Sequence, residues 1–187
     1  MSLPTPAALA APAATALLCL TATTALQASS LEHIRQLENL INASGTETVV
    51  SNDCPPQHAG YYEHDGGGIS RLVICRRHVD LGDVKAVWGV MAHEATHLMQ
   101  SCTGGTALGE QTMPRTLREL QLQAPHYARL ISTAYEKADQ RLEAEAFWME
   151  LQPADAVIAL FRRTCAGALE SGGLTGRPTP TGPRTTP

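Results

Sequence analysis

The 187-residue chain is 43 % hydrophobic and 17 % charged, which suits one domain with a real core and excludes wholesale disorder. Aromatic residues make up only 4 %, so that core must be built from Leu, Ile, Val, Met and Ala. The net charge is -4 and no basic run is longer than a pair such as Arg76-Arg77. No nucleic-acid partner is therefore expected, since such a partner needs a basic face.

Ala7 to Ala28 is an uncharged, small-residue stretch centred on Leu17, Leu18, Cys19 and Leu20. Residues 1–28 read as a signal peptide with a cleavage point after Ala28. Met1 to Pro6 hold no Lys or Arg, so the alternative is a disordered Ala/Thr/Pro-rich leader. Pro12 and the many Ala and Thr residues make a poor span, and no stable membrane crossing is expected. The folded domain is expected over 30–169. A Gly-, Pro- and Thr-rich tail over 171–187 buries too little surface to offset its ordering entropy and reads as disordered.

Within the domain, Leu31, Ile34, Leu37, Leu40 and Ile41 predict a helix from Ser30 to Ala43, stopped by Gly45. Thr46 to Ser51 is β-prone. Gly60 to Glu63 and Ile69 to Arg76 flank Asp65-Gly66-Gly67-Gly68 and predict a hairpin. The strand over 69–75 is either an ordinary internal strand or an edge able to hold an extended peptide. Val84 to Ser101 predicts the next helix, ended by Gly104-Gly105. Thr116 to Gln123 predicts a short one, Pro125 to about Leu151 a long one, and Val157, Ile158, Leu160 and Phe161 a last one after Pro153. Helix, strands, then helices is the order of an α+β domain.

The helix over 84–101 contains His93-Glu94-Ala95-Thr96-His97. Residues four apart share a helix face, so His93 and His97 point the same way and suit one zinc ion. Glu94, offset to one side, is the candidate general base for a zinc-bound water whose pKa falls to about 7. Val90, Met91, Ala92 and Leu98 make the surroundings apolar. A third ligand is needed. His126 is the only later histidine, and Leu142 to Phe147 offers Glu143 and Glu145. At about 100° per residue, Glu145 lies roughly 60° from the centre of the stripe formed by Ile131, Tyr135, Ala138, Leu142, Ala146 and Met149, and Glu143 roughly 100°. A buried carboxylate must be paired or bound to metal, which favours Glu145 and keeps Glu143 as the alternative. Arg141 is a candidate partner for Glu145.

Other residues carry smaller expectations. Gln100 is placed to orient a ligand. Tyr127 and Tyr135 read as core residues first and as oxyanion donors second. His58, His64 and His78 are the residues from which a second metal site would be built. Cys54, Cys75, Cys102 and Cys165 leave three disulfide pairings open, or four reduced thiols in a cytosolic protein. Cys102 is the natural anchor for the end of the motif helix, with Cys165 a candidate partner. An exported protein, periplasmic or secreted, follows if the leader is a signal peptide, and a cytoplasmic one if it is not.

The HExxH motif with a downstream glutamate resembles the gluzincin-like metallopeptidases. The run Gly60-Tyr61-Tyr62, Leu72 to Cys75, then His93-Glu94-xx-His97-xx-Gln100-x-Cys102 resembles the mitochondrial intermembrane-space peptidases that process an ATP synthase subunit, with Gln100 where those carry Asp. The run from Glu143-Ala144-Glu145-Ala146 to Pro153 is similar to ImmA/IrrE-type peptidases, and alignment on that pattern puts the ligand at Glu143. The resemblance implies a zincin-like fold, a strand along the cleft and a single zinc. The reading is therefore a zinc metallopeptidase acting on a protein or peptide substrate. The alternative is a non-catalytic zincin-like module that binds one.

Overall fold

A computed structural model describes residues 30–66, 68–173 and 184–185. The first helix, α1, spans 30–43 and buries Leu37 and Ile41, which lie one turn apart. Strands β1 (Glu47–Ser51), β2 (Gly60–His64) and β3 (Ser70–Cys75) follow. A two-residue β4 (Arg184–Thr185) pairs antiparallel with β2 at Tyr61 and Tyr62. The sheet order is β1-β3-β2-β4, with β1 parallel and β2 antiparallel to β3. The expected hairpin is β2–β3. Because β3 is paired along both sides, it is an internal strand and has no edge to offer a peptide. Its Leu72, Val73, Ile74 and Cys75 are all buried, as a central strand requires. Of the expected tail, only Arg184 and Thr185 lie beyond Gly173 among the described residues. The leader lies outside them.

The next helix, α2 (Val84–Thr103), runs through the middle of the domain. Asp83 caps it by accepting from the Lys85 and Ala86 amides at 2.9 and 3.1 Å, which stabilises the helix by about 1 kcal/mol. Gly104 ends it at φ 71°, a left-handed conformation that glycine adopts without penalty. The helix packs against β2, β3 and two later helices, α5 (Gln140–Glu150) and α6 (Ala154–Thr164). Every residue from Met91 to Gln100 is buried. A helix buried on all sides is expected to be apolar, yet this stretch carries His93, Glu94, Thr96, His97 and Gln100. Those polar groups need partners, and the partners come from α5.

The chain reaches α5 through α3 (Met113–Gln123) and α4 (Pro125–Ala134). Here the structure departs from the sequence expectation. The single helix expected from Pro125 to Leu151 is broken at Tyr135, whose backbone is extended at φ -115° and ψ 145°. No proline or glycine causes the break. Gln140 Nε2 donates to the Tyr135 carbonyl at 3.1 Å, occupying an acceptor the break releases. α4 then folds back on α5, burying Ile131, Ala144 and Phe147 in a second small core. Tertiary packing has overridden a continuous helical pattern. A short α7 (Ala166–Ser171) closes the domain. Strands in one group and helices in another make this a small α+β domain.

Two disulfides staple it: Cys54–Cys75 and Cys102–Cys165. The second ties the last turn of α2 to the end of α6, the pairing expected for Cys102. It closes a sequence separation of 63 residues. Replacing both cysteines by serine is expected to lower stability by about 4 kcal/mol, read as a lower denaturation midpoint with a raised m-value, because the unfolded chain becomes less compact.

Candidate metal centre

His93 and His97 sit one turn apart on α2, and Glu143 reaches them from the first turn of α5. The Glu143 carboxylate lies 3.5 Å from Nε2 of each histidine. One donor atom from each of the three residues falls within 4.8 Å of the others. All three side chains are about 1 % exposed. A buried His93, His97 and Glu143 group of this kind can hold a metal ion. Among the described residues no second such group forms, so His58, His64 and His78 do not build one.

The far side of each ring fixes which nitrogen faces the centre. Gln100 Nε2 donates to the Leu142 carbonyl and to Glu145 Oε2, both at 2.9 Å. Its Oε1 is therefore the acceptor for His97 Nδ1, at 2.9 Å. His93 Nδ1 donates to Glu150 Oε1 at 2.7 Å. Each neutral imidazole then turns a lone pair on Nε2 toward Glu143. Two neutral rings would leave those lone pairs facing the carboxylate, so the group takes up a cation, either a proton on His93 or a metal ion. His93 Nε2 is buried, with Glu143 Oε2 facing it at 3.5 Å. The donor set of two imidazoles and a carboxylate, each ring braced by an outer acceptor, suits a divalent transition metal.

The electrostatics point the same way. Burial by itself would lower the pKa of His93, but Glu143 and Glu150 at its two nitrogens and the nearby Glu94 reverse this and push it up to about 10. In the metal-free protein His93 is thus protonated at pH 7, and a metal has to displace that proton. The stability this group contributes to the metal-free form is present below the unfolded value of about 6.5. It is lost as pH rises through about 10. Metal binding at pH 7 is expected to release about one proton from this group. Calorimetric titration in buffers of different ionisation enthalpy reads that proton directly. A heat independent of buffer would contradict it.

Glu145, the ligand favoured from sequence, faces elsewhere. Its two oxygens accept from the Ala107 and Leu108 amides, at 2.9 and 2.7 Å, and from Gln100. It holds the loop after α2 and, through Gln100, orients His97. The facing estimate failed because it assumed one buried face, whereas α5 is enclosed by α2, α3 and α4 and buries every residue from Glu143 to Phe147. Burial did not discriminate either, since Glu143 and Glu145 are 1 % and 0 % exposed. Arg141 pairs with Glu110, not with Glu145. Gln100 has the orienting role expected of it.

The break before α5 also brings in two tyrosines that the sequence placed in the core. Tyr127 packs on Phe147 with ring centroids 4.5 Å apart and donates to Glu150 Oε2 at 2.8 Å. Tyr135 hydrogen-bonds Glu143. Burial and the neighbouring carboxylates hold both phenols well above their usual range, so both remain donors at neutral pH. His126 is exposed and stacks on Tyr127 at 4.2 Å, away from the three donors. Glu150 was not foreseen. Its signal was present: seven residues after Glu143, it shares the same helix face two turns on.

Glu94 is fully buried next to His93. The start of β2 lies over it. A Cβ on Gly60 would stand 2.5 Å from Val90 Cγ1, 2.8 Å from the Val73 carbonyl and 3.2 Å from Glu94 Cγ. Only glycine lets the strand approach the helix this closely.

No helix among the described residues is long and apolar enough to cross a membrane, and two disulfides are compatible with an exported protein. No curated protein and no solved structure matches the chain. Residues 56–166 match the model of a domain of unknown function, DUF8637, over a stretch that contains His93, Glu94, His97, Glu143 and Glu150, and the chain belongs to that family.

Proposed function

We infer that this protein is an exported zinc metallopeptidase that hydrolyses peptide bonds in a protein or peptide substrate. The observation that carries this reading is the Glu143 carboxylate, 3.5 Å from Nε2 of both His93 and His97, with Glu94 buried beside them. His93, His97 and Glu143 would hold the ion. When bound, zinc supplies a Lewis acid and a water that ionises near neutral pH. Glu94 is the general base: it accepts the proton of the attacking water and returns it to the leaving amine nitrogen. The Tyr135 hydroxyl, already at Glu143, is a donor suited to the oxygen on which negative charge develops. Glu150 and Gln100 hold the two rings in the tautomer that leaves Nε2 toward the centre. Burial of the whole group excludes bulk water and strengthens each of these interactions.

The test is cleavage of a reduced, alkylated protein by the zinc-loaded chain. Fragments are expected, their formation stopping with a chelator and resuming with added zinc. A folded, zinc-loaded protein that leaves a broad panel of unfolded substrates intact would contradict the reading.

A further inference from the structure

Gly89 sits in the interior of α2, one turn before His93 and on the same face. Glycine is the least favourable residue there after proline. Crowding does not demand it: a Cβ at Gly89 would meet only Glu150 Oε2, at an ordinary 3.8 Å. This is the opposite of Gly60, where a Cβ would collide. What the missing side chain at Gly89 provides is room.

That room belongs to a cavity of about 580 Å³, lined by Gly89, Trp88, Leu130, Phe147 and Glu150 and reaching His93. Its size falls in the range of about 300–1,000 Å³ occupied by ligand pockets. Most of these side chains are apolar. Of the cavity's two carboxylates, Glu150 has both oxygens engaged, by His93 and by Tyr127, and Asp83, exposed like the neighbouring Lys85, caps α2. An occupant therefore gains by burying apolar surface, not by supplying a counter-charge. The cavity meets the metal centre through His93, on the Nδ1 side where Glu150 and Tyr127 also line it, so a side chain held there sits beside the centre and not in it.

We propose that this cavity is the specificity pocket of the peptidase, that it takes a bulky apolar or aromatic side chain of the substrate, and that Gly89 sets its depth. The assignment rests on the peptidase reading, and binding is measured separately from cleavage so that the two can fail independently. The probe is a set of unfolded peptide pairs differing only by Phe or Ala at one scanned position. Each is titrated into the zinc-loaded Glu94→Gln protein. Trp88 emission reports binding, with Trp148→Phe removing the other tryptophan.

At one position the Phe peptide is expected to bind on the order of tenfold or more tighter than its Ala partner. Gly89→Leu fills the cavity and is expected to abolish that ratio while zinc content is retained. Gly89→Ala, which the available space admits, is expected to reduce it in part and guards against a misfolded leucine variant. A ratio near one at every position, or a ratio unchanged in both Gly89 variants, would overturn the proposal. Selective binding of Phe peptides by a protein that, with Glu94 restored, cleaves none of them would support the pocket and overturn the peptidase reading.

Discussion

Glu143→Gln is expected to abolish tight zinc binding while leaving the fold intact, and Glu145→Gln is expected to do nearly the reverse. Glu143 brings its carboxylate to both Nε2 atoms, so its neutral amide counterpart removes a ligand charge from the centre. The loss of affinity should exceed the roughly 10–100-fold that follows from changing a group that only braces a ligand. Glu145 has no such contact. It accepts two backbone amides and the Gln100 side chain, and its loss leaves buried donors without a charged acceptor. The expected cost is about 2–4 kcal/mol of stability, with a zinc affinity reduced only as far as His97 loses its Gln100 brace. Zinc titration and denaturant unfolding of the two variants, run side by side, separate the roles. Equal zinc affinities would return the third ligand to open choice.

Glu94→Gln is expected to keep stoichiometric zinc and the native fold but to lower the rate of peptide hydrolysis by about 10²–10⁴-fold. Glutamine preserves the shape of a side chain that is fully buried against Gly60 and α2 but accepts no proton from an attacking water. This variant also divides the two functional classes. A non-catalytic binding module would bind its peptide equally well with either residue and cleave it with neither. An intact glutamate at this position has no evident use in such a module. Steady-state cleavage of a single fluorogenic peptide, with zinc content measured on the same samples, gives the comparison.

What was legible in the sequence follows from how local each signal is. His93, Glu94 and His97 lie within five residues on one helix, so their common placement needs only helical geometry. Gln100 lies one further turn along the same helix and is equally readable. The hairpin was marked by its glycine turn, and the Cys102–Cys165 pairing by the need to fix the end of α2. The third residue of the His93, His97 and Glu143 group was not readable in this way. Its identity depends on which elements pack around α5, and α4 folds back on α5 only because of a break at Tyr135 that no proline or glycine announces. Removing Tyr135 and Ile131 from the stripe barely moves its centre; what the stripe does not show is that neighbours enclose α5 on more than one face, so that Glu143 and Glu145 are both buried and meet different partners. The same break carries Tyr135 to Glu143 instead of leaving it about two turns away along one helix. Glu150 was missed because no single feature of its surroundings marks it; only its spacing of seven from Glu143 does. An isolated helical glycine such as Gly89 carries no meaning until the space beside it is seen.

The most direct measurement of the central claim is the metal content of the purified protein and of His93→Ala. About one zinc ion per chain in the wild type, absent from a His93→Ala variant that keeps its far-ultraviolet circular dichroism, is the expected result. A correctly folded wild-type protein that carries no metal, and takes up none when zinc is offered at neutral pH, would contradict it.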